Sequence, residues 1–229
     1  MPRTVLAIGG HIGDMDLTAG PTLAKMALDK DRAIILACTY GERGHPTMPP
    51  AEYKEQKLEE ARRFAEGIGA EYRTLDYSDG FLPDTDEAAA QIADIIRAEK
   101  PDLIITHWRH SIHRDHERTN ALAQRAIFLA SLPLDHPLGR HSVSRVLYAD
   151  NWEDAEGFVP DVYVPIPRPA YEAWRAAIQV EAFARGETYG FRYIDYYCAT
   201  MLAKGCLVGE ERACGFMEGD QEKRTLAGP

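Results

Sequence analysis

The chain has 229 residues, of which 45% are hydrophobic, and its formal net charge at pH 7 is −10. A chain of this length can bury one substantial core, so we expect a single domain over residues 1–229. The acidic balance and the lack of a Lys/Arg cluster argue against a nucleic-acid partner, and no apolar segment approaches the roughly 18 residues that a membrane span needs.

Short apolar runs alternate with longer segments of helical periodicity along the chain. The predicted strands are residues 4–9, 33–40, 71–77, 103–106, 145–149 and 159–166, and the predicted helices are 16–28, 51–68, 85–99, 115–130 and 169–184. This alternation predicts an α/β fold in which helices cover both faces of a mainly parallel sheet. Right-handed crossovers favour a doubly wound, Rossmann-like sheet with strand order 3-2-1-4-5.

Potential metal ligands follow the two strands that this order makes neighbours, the first and the fourth. His11 and Asp14 come directly after the first strand. The segment after the fourth strand contains His107, His110, His113, Asp115 and His116. Ligands bind doubly wound sheets in the crevice at the carboxyl ends of such strands. Two histidines and one aspartate meeting there would suit a zinc ion with three protein ligands and an open fourth position, which is typical of a catalytic site.

Four stretches resemble motifs of the LmbE-like family, also called the PIG-L deacetylases. "IGGHIGDMDLTAGPTLA" resembles the pattern A-P-H-P-D-D-E-E-L-G-x-G-G-T-L-A and keeps its histidine, its second aspartate and the final T-L-A. "HRDH" differs from the family's H-P-D-H only by Arg114. "LACTYGERG" resembles the turn T-x-G-E-x-G, and "KLEEARRFAEGIGAEYRTLDYSDG" resembles the helix and strand that follow it. The order and spacing of these motifs indicate a family member over about the first 120 residues.

The resemblance implies an LmbE-like fold and a zinc-dependent N-acetylglucosaminyl deacetylase. His11, Asp14 and His116 would ligate zinc, or another divalent transition metal, which activates a water for attack on an N-acetyl amide. His113 would protonate the leaving amine, and Asp115 would orient this histidine. The positions with which the family contacts sugar hydroxyls correspond to Glu42, Lys57 and Asp79.

The resemblance breaks at Gly13, which stands where the family has the aspartate taken to be the general base. Loss of a positioned base typically costs on the order of 10² to 10⁴ in rate, whereas activation by the metal survives, so we expect slow or altered hydrolysis. The proton could go to His113, to a group on the substrate or to Asp16. We favour His113, because Asp16 lies two helical positions beyond Asp14 and should point away from the site. The glycine is also expected to leave space beside the metal for a bulkier acyl group or a substrate carboxylate.

Two functions follow from these residues. The first is a zinc-dependent hydrolase that removes an N-acyl group, in the main case N-acetyl, from an amino sugar or a related small amide. The alternative is a non-catalytic or weakly active relative that keeps the metal and binds a sugar-like ligand. In either case we expect a cytoplasmic homo-oligomer with a small-molecule N-acylated partner. The tyrosines of the stretch 189–197 are expected in the core or in a subunit contact.

Overall fold

A single seven-stranded sheet organises the fold. The computed structural model describes residues 2–154 and 156–219. The strands are β1 Thr4–His11, β2 Arg32–Thr39, β3 Glu71–Tyr77, β4 Leu103–Thr106, β5 Arg145–Ala149, β6 Val162–Pro165 and β7 Ala213–Glu218. Their order is β3-β2-β1-β4-β5-β7-β6. The first five strands are parallel, and β7 runs antiparallel to both β5 and β6. The predicted order 3-2-1-4-5 is therefore confirmed, with two strands added at one edge.

Seven α-helices connect the strands. They are α1 Asp14–Thr18, α2 Gly20–Leu28, α3 Pro50–Ile68, α4 Asp86–Glu99, α5 Arg114–Ser131, α6 Arg168–Ala177 and α7 Tyr193–Val208. Alternate residues of β1 face opposite sides of the sheet, as the pleat requires. Val5 packs with α2, α3, α6 and α7 on one face, and Leu6 packs with α4 and α5 on the other. Burial of the central strands on both faces explains why their sequences are continuous apolar runs.

The helix predicted over residues 16–28 is divided into α1 and α2. Pro21 lies in the first turn of α2, where its missing N–H costs nothing. The indole N–H of Trp174 donates a hydrogen bond of 2.8 Å to the backbone carbonyl of Asp16, which fixes α6 against the end of α1. Because the helix is divided, Asp14 at the start of α1 lies at the edge of the sheet, whereas α2 packs on its face.

The C-terminal third departs most from the predictions. The helix predicted over residues 169–184 ends at Ala177 and continues as a 3₁₀ turn over Ile178–Val180. The strand predicted over 159–166 is only β6, four residues long. Helix α7 and strand β7 were not predicted. Among the described residues, no helix has both the length and the apolar character needed to cross a bilayer.

Candidate active site

The site lies where the carboxyl ends of β1 and β4 meet. His11 is the last residue of β1, Asp14 is the first residue of α1, and His116 lies in the first turn of α5. Because β1 and β4 are paired neighbours, the topology brings these three side chains to one edge of the sheet. The crevice expected from the sequence is therefore present.

The imidazoles of His11 and His116 both approach one oxygen of Asp14, although the groups whose ligand atoms all lie within 4.8 Å of one another are His11/His113/His116, Asp14/His107/His116 and His11/Asp79/Asp115. Asp14 Oδ2 lies 3.2 Å from His11 Nδ1 and 3.3 Å from His116 Nε2. Burial alone would raise the pKa of Asp14, but His116 and His11 hold it well below its usual range. Burial alone would lower the pKa of His116, but Asp14 and Asp154 raise it to about 9. The site thus favours positive charge, and two imidazoles with one carboxylate are a donor set that fits zinc.

His107 also approaches Asp14. Its Nε2 lies 3.1 Å from Asp14 Oδ2 and accepts a hydrogen bond of 3.1 Å from the backbone N–H of Gly10. Its Nδ1 lies 2.9 Å from Asp154 Oδ2. An imidazole that accepts at Nε2 and donates at Nδ1 links Gly10 to Asp154. His107 also offers a nitrogen that lies within 4.8 Å of the candidate ligand atoms of Asp14 and His116.

Asp154 is a residue of the site that sequence reasoning missed. It is fully buried, and its two oxygens lie 2.9 Å from His107 Nδ1 and 3.2 Å from His116 Nδ1. Burial would raise the pKa of Asp154, but the two histidines hold it well below its usual range. A carboxylate on the far nitrogen fixes the tautomer and direction of a metal-binding histidine. The available signal was the position of "DNWED" at the carboxyl end of β5, beside β4.

Replacement of Asp154 by asparagine is expected to weaken metal binding about 10- to 100-fold, because His116 loses the partner that orients it. Metal affinity can be measured by competition with a chromogenic chelator. Asp195→Asn is a suitable control, since Asp195 is exposed and pairs with Arg192 on the surface of α7. Equal affinities in the Asp154 variant and the unmodified protein would contradict this role.

His113 lies beside the metal position and caps α5. Its Nδ1 accepts a hydrogen bond of 3.2 Å from the backbone N–H of Asp115. The His113 ring centroid lies 4.5 Å from that of His11 and 4.9 Å from that of His116. Burial and these two histidines lower the pKa of His113, which keeps the ring neutral near pH 7. With Nδ1 occupied as an acceptor, the neutral ring carries its proton on Nε2, from which it can donate a hydrogen bond.

The carboxylate of Asp115 faces His11 and not His113. It is fully buried, accepts a hydrogen bond of 2.7 Å from the backbone N–H of Gly80, and lies 3.5 Å from His11 Nε2. Burial would raise the pKa of Asp115, but the contacts with His11 and Gly80 lower it. Its hydrogen bond to His113 is made through the backbone N–H. Asp115 thus contacts His11 with its carboxylate and His113 with its backbone.

Asp79 and Glu42 lie on the Nε2 side of His11, whereas Asp14 lies on its Nδ1 side. Asp79 lines the cavity, and its Oδ1 lies 3.1 Å from His11 Nε2. Glu42 accepts hydrogen bonds of 3.1 Å from the backbone N–H of Asp79 and from the hydroxyl of Ser78. Glu42 therefore holds the turn that presents Asp79, and its carboxylate is not part of the cavity wall. Lys57, on α3, is buried and does line the cavity.

The space beside Gly13 is filled, contrary to expectation. Gly13 has φ of 108°, a left-handed conformation that side chains rarely adopt. A Cβ atom placed on it would lie 2.3 Å from Cζ of Phe183 and 3.3 Å from Nζ of Lys57. The glycine is thus required by the backbone and by the ring packed against it. The expectation of open space for a bulkier acyl group at this point is wrong.

A cavity of about 480 Å³ opens onto these residues. Much of its wall is aromatic: Trp152, Phe183, Tyr189, Phe191, Tyr193 and Tyr197. Trp152 and Phe191 are stacked with ring centroids 4.8 Å apart. Three of the four tyrosines expected in the core or in a subunit contact therefore face the cavity, whereas Tyr196 is 36% exposed outside it. The wall can hold an apolar or planar face of a small molecule.

The chain is similar in sequence to known proteins. The profile of the PIG-L family, described as GlcNAc-PI de-N-acetylase, matches residues 6–127. Diacetylchitobiose deacetylase of Thermococcus kodakarensis is 26% identical over 217 residues, which cover 84% of this chain and 81% of the relative. A 1D-myo-inositol 2-acetamido-2-deoxy-alpha-D-glucopyranoside deacetylase of Catenulispora acidiphila is 28% identical over 59% of this chain, and the chain spans about half of that relative, 51%.

Hydratases also occur among the similar proteins. The 4-oxalmesaconate hydratase of Pseudomonas putida is 26% identical over 56% of this chain and 53% of the relative. Among solved structures, the 4-carboxy-2-hydroxymuconate hydratase of Pseudomonas putida superposes with a TM-score of 0.87, at 21% identity, over 98% of this chain and 100% of the other. That likeness establishes a common fold.

Proposed function

Since this chain belongs to the PIG-L family, we propose that it is a metal-dependent amide hydrolase that removes the N-acetyl group from an amino sugar or a related small amide. The observation that carries the proposal is the meeting of His11, Asp14 and His116 around one oxygen, with His113 as a proton donor beside them. Relatives named as deacetylases support the reaction type.

Different residues of the chain would bind the metal and transfer the proton. His11 Nδ1, an oxygen of Asp14 and His116 Nε2 would hold the ion. A zinc ion there would polarise the amide carbonyl and lower the pKa of water to about 7, so that attack near neutral pH does not depend on a carboxylate at position 13. His113 would take up the proton that the attacking water loses and pass it to the leaving nitrogen as the C–N bond breaks, so that the free amine and acetate are released and the imidazole returns to its neutral form.

Replacement of His113 by asparagine is expected to lower kcat for deacetylation by about 10²- to 10⁴-fold while leaving the metal content unchanged. Asparagine is a strong N-cap residue, so it preserves the start of α5 while removing the transferable proton. Acetate released from diacetylchitobiose measures the activity, and metal analysis of the same samples measures occupancy. His110→Asn is the matched control, because His110 lies exposed on the same loop. Full activity of the His113 variant would exclude His113 as the proton donor.

A second candidate reaction is the addition of water to a carbon–carbon double bond of an unsaturated carboxylic acid. The feature that favours it is Gly13, because the family's general base is absent while a cationic side chain, Lys57, lies beside that position. The hydratase relative of Pseudomonas putida supports the same reaction type. Here His113 would protonate carbon while water oxygen bonds to the neighbouring carbon, and no group would leave.

Two assays on one preparation of metal-loaded protein separate these reactions. Deacetylation releases acetate from N-acetylated sugars, whereas hydration removes the ultraviolet absorbance of a conjugated acid. Acetate release that depends on His113 supports the amide hydrolase. Loss of absorbance without acetate release supports the hydratase, and no turnover in either assay supports the non-catalytic binder.

A further inference from the structure

Lys57 is a buried cation without a hydrogen-bonded partner. It lies in the middle of α3, and only 4% of its surface is exposed. Among the described residues, no carboxylate oxygen lies within 4.0 Å of its ammonium group, and no acceptor bonds to it. Its nearest aromatic neighbour is Phe183, whose ring centroid lies 3.9 Å from Nζ. Burial of a charge is costly unless hydrogen bonds compensate it, so an acceptor on a molecule bound in the cavity would stabilise this ammonium.

The ammonium lies at the reactive end of the cavity. Lys57 lines the same cavity as His11, Asp14 and His113. Its Nζ is 3.3 Å from the point where a side chain at residue 13 would begin, directly before the metal ligand Asp14. A ligand that reaches the metal position therefore also passes within reach of Lys57.

Three buried acidic residues lie near Lys57, and each has at least one carboxylate oxygen without a hydrogen-bond partner, yet none of these oxygens bonds to the ammonium. Asp16, Glu60 and Glu181 are buried and do not line the cavity. Tyr72 donates a hydrogen bond to Asp16, and the backbone N–H of Ala182 donates one to Glu60. Burial and the neighbouring Asp16 raise the pKa of Glu181 well above its usual range. The open side of the ammonium is the cavity side.

We propose that Lys57 binds a carboxylate of the substrate, so that the substrate is an N-acylated small molecule that also carries an acid group. The proposal rests on the cavity being the substrate site, as the proposed function has it. An ammonium with three donors, placed against an aromatic ring and facing a cavity, recognises a carboxylate as a compact charge. A sugar hydroxyl, the ligand expected at this position from the sequence, could accept a hydrogen bond from Lys57 but would bring no opposite charge.

Binding of small carboxylates to the metal-loaded protein tests the proposal without any need for turnover. The probes are straight-chain dicarboxylates from malonate to adipate, each compared with its half-amide, in which one acid is replaced by a neutral group of the same size. One carboxylate can reach the metal and the other Lys57. By isothermal titration calorimetry, we expect at least one dicarboxylate to bind about 10-fold or more tightly than its half-amide. Lys57→Met should abolish that preference, and Lys57→Arg should retain part of it.

The control is Lys54→Met, one turn earlier on α3, where the side chain pairs with Asp76 on the surface. This variant should keep the full preference. Removal of a buried charge can also disturb folding. If Lys57→Met unfolds, the test is whether Lys57→Arg binds the dicarboxylate with a reduced preference over its half-amide. Equal binding of every dicarboxylate and its half-amide by the unmodified protein, or a preference that survives in Lys57→Met, would overturn the proposal.

Failure of the deacetylase proposal and failure of the Lys57 proposal give different experimental results. If acetate is released from neutral N-acetylated sugars but no dicarboxylate preference exists, the hydrolase stands and the Lys57 proposal is wrong. If the preference exists and depends on Lys57 but no N-acetylated compound is hydrolysed, the carboxylate subsite stands and the deacetylase proposal is wrong.

Discussion

Replacement of His116 by alanine is expected to empty the metal site and to lower hydrolysis by about 10³-fold or more. His116 supplies one of only three ligands and is the one that Asp154 holds in position from behind. Two remaining ligands are too few for the tetrahedral site that zinc forms with three protein side chains. Loss of the ion removes several kcal/mol of stabilisation of the transition state, and each 1.36 kcal/mol is a factor of ten in rate.

The measurement combines elemental mass spectrometry of the dialysed protein with acetate release. His136→Ala is the matched control, because His136 pairs with Asp94 away from the site and its side chain is 25% exposed. This control should keep one metal per chain and full activity. A His116 variant that retains stoichiometric metal would contradict the ligand set.

Replacement of Gly13 by aspartate, the residue typical of the family, is expected to destabilise the protein and to give no gain in hydrolysis. Residue 13 has φ of 108°, and strain of this kind costs on the order of 1 to 3 kcal/mol. The new Cβ would also lie 2.3 Å from the ring of Phe183, and overpacking of this kind costs about 1 to 3 kcal/mol. Together these costs should lower the melting temperature by roughly 5 to 15 °C in a chain of this size.

The variant Gly139→Asp distinguishes the cost of backbone strain from the cost of overpacking. Gly139 also has a left-handed backbone, with φ of 68°, but nothing lies within 4 Å of the position of its Cβ. It should therefore lose only the conformational contribution, about 1 kcal/mol. Thermal unfolding of both variants gives the comparison. A Gly13 variant that melts with the unmodified protein and gains activity would show that Phe183 moves aside and that only the base is missing.

The central sheet and the meeting of the candidate ligands at its edge were predictable from apolar patterns and a few topological rules. The apolar runs around Val5 and Ile34 are buried on both faces, and strands of this kind alternate with helices in only a few topologies. Once β1 and β4 are neighbours, the residues after them must share one edge. His11 and His116 could therefore be placed together although 105 positions separate them.

The C-terminal third could not be predicted, because its signals depend on contacts across the fold. Helix α7 has apolar residues on its exposed side as well as its buried side, among them Leu202 and Leu207, so periodicity does not mark it as helical. Strand β7 enters the sheet antiparallel, against the pattern of the strands before it. Asp154 lies in a short polar loop, and only the neighbouring histidines reveal its role. Pro21, by contrast, was a local signal for the break between α1 and α2.

Different parts of the cavity wall come from different segments of the sequence, and this affects which substitutions can change the bound molecule. The residues proposed to hold the ion and to transfer the proton lie between residues 11 and 116, within the segment that matches the family, whereas the aromatic wall comes mainly from residues 152–197, beyond it. Lys57 and Asp154 are exceptions, because the first lines the cavity from the earlier stretch and the second contacts His116 from the later one. Substitutions among the aromatic residues can therefore change which molecule enters the cavity while the proposed ligands and His113 stay the same.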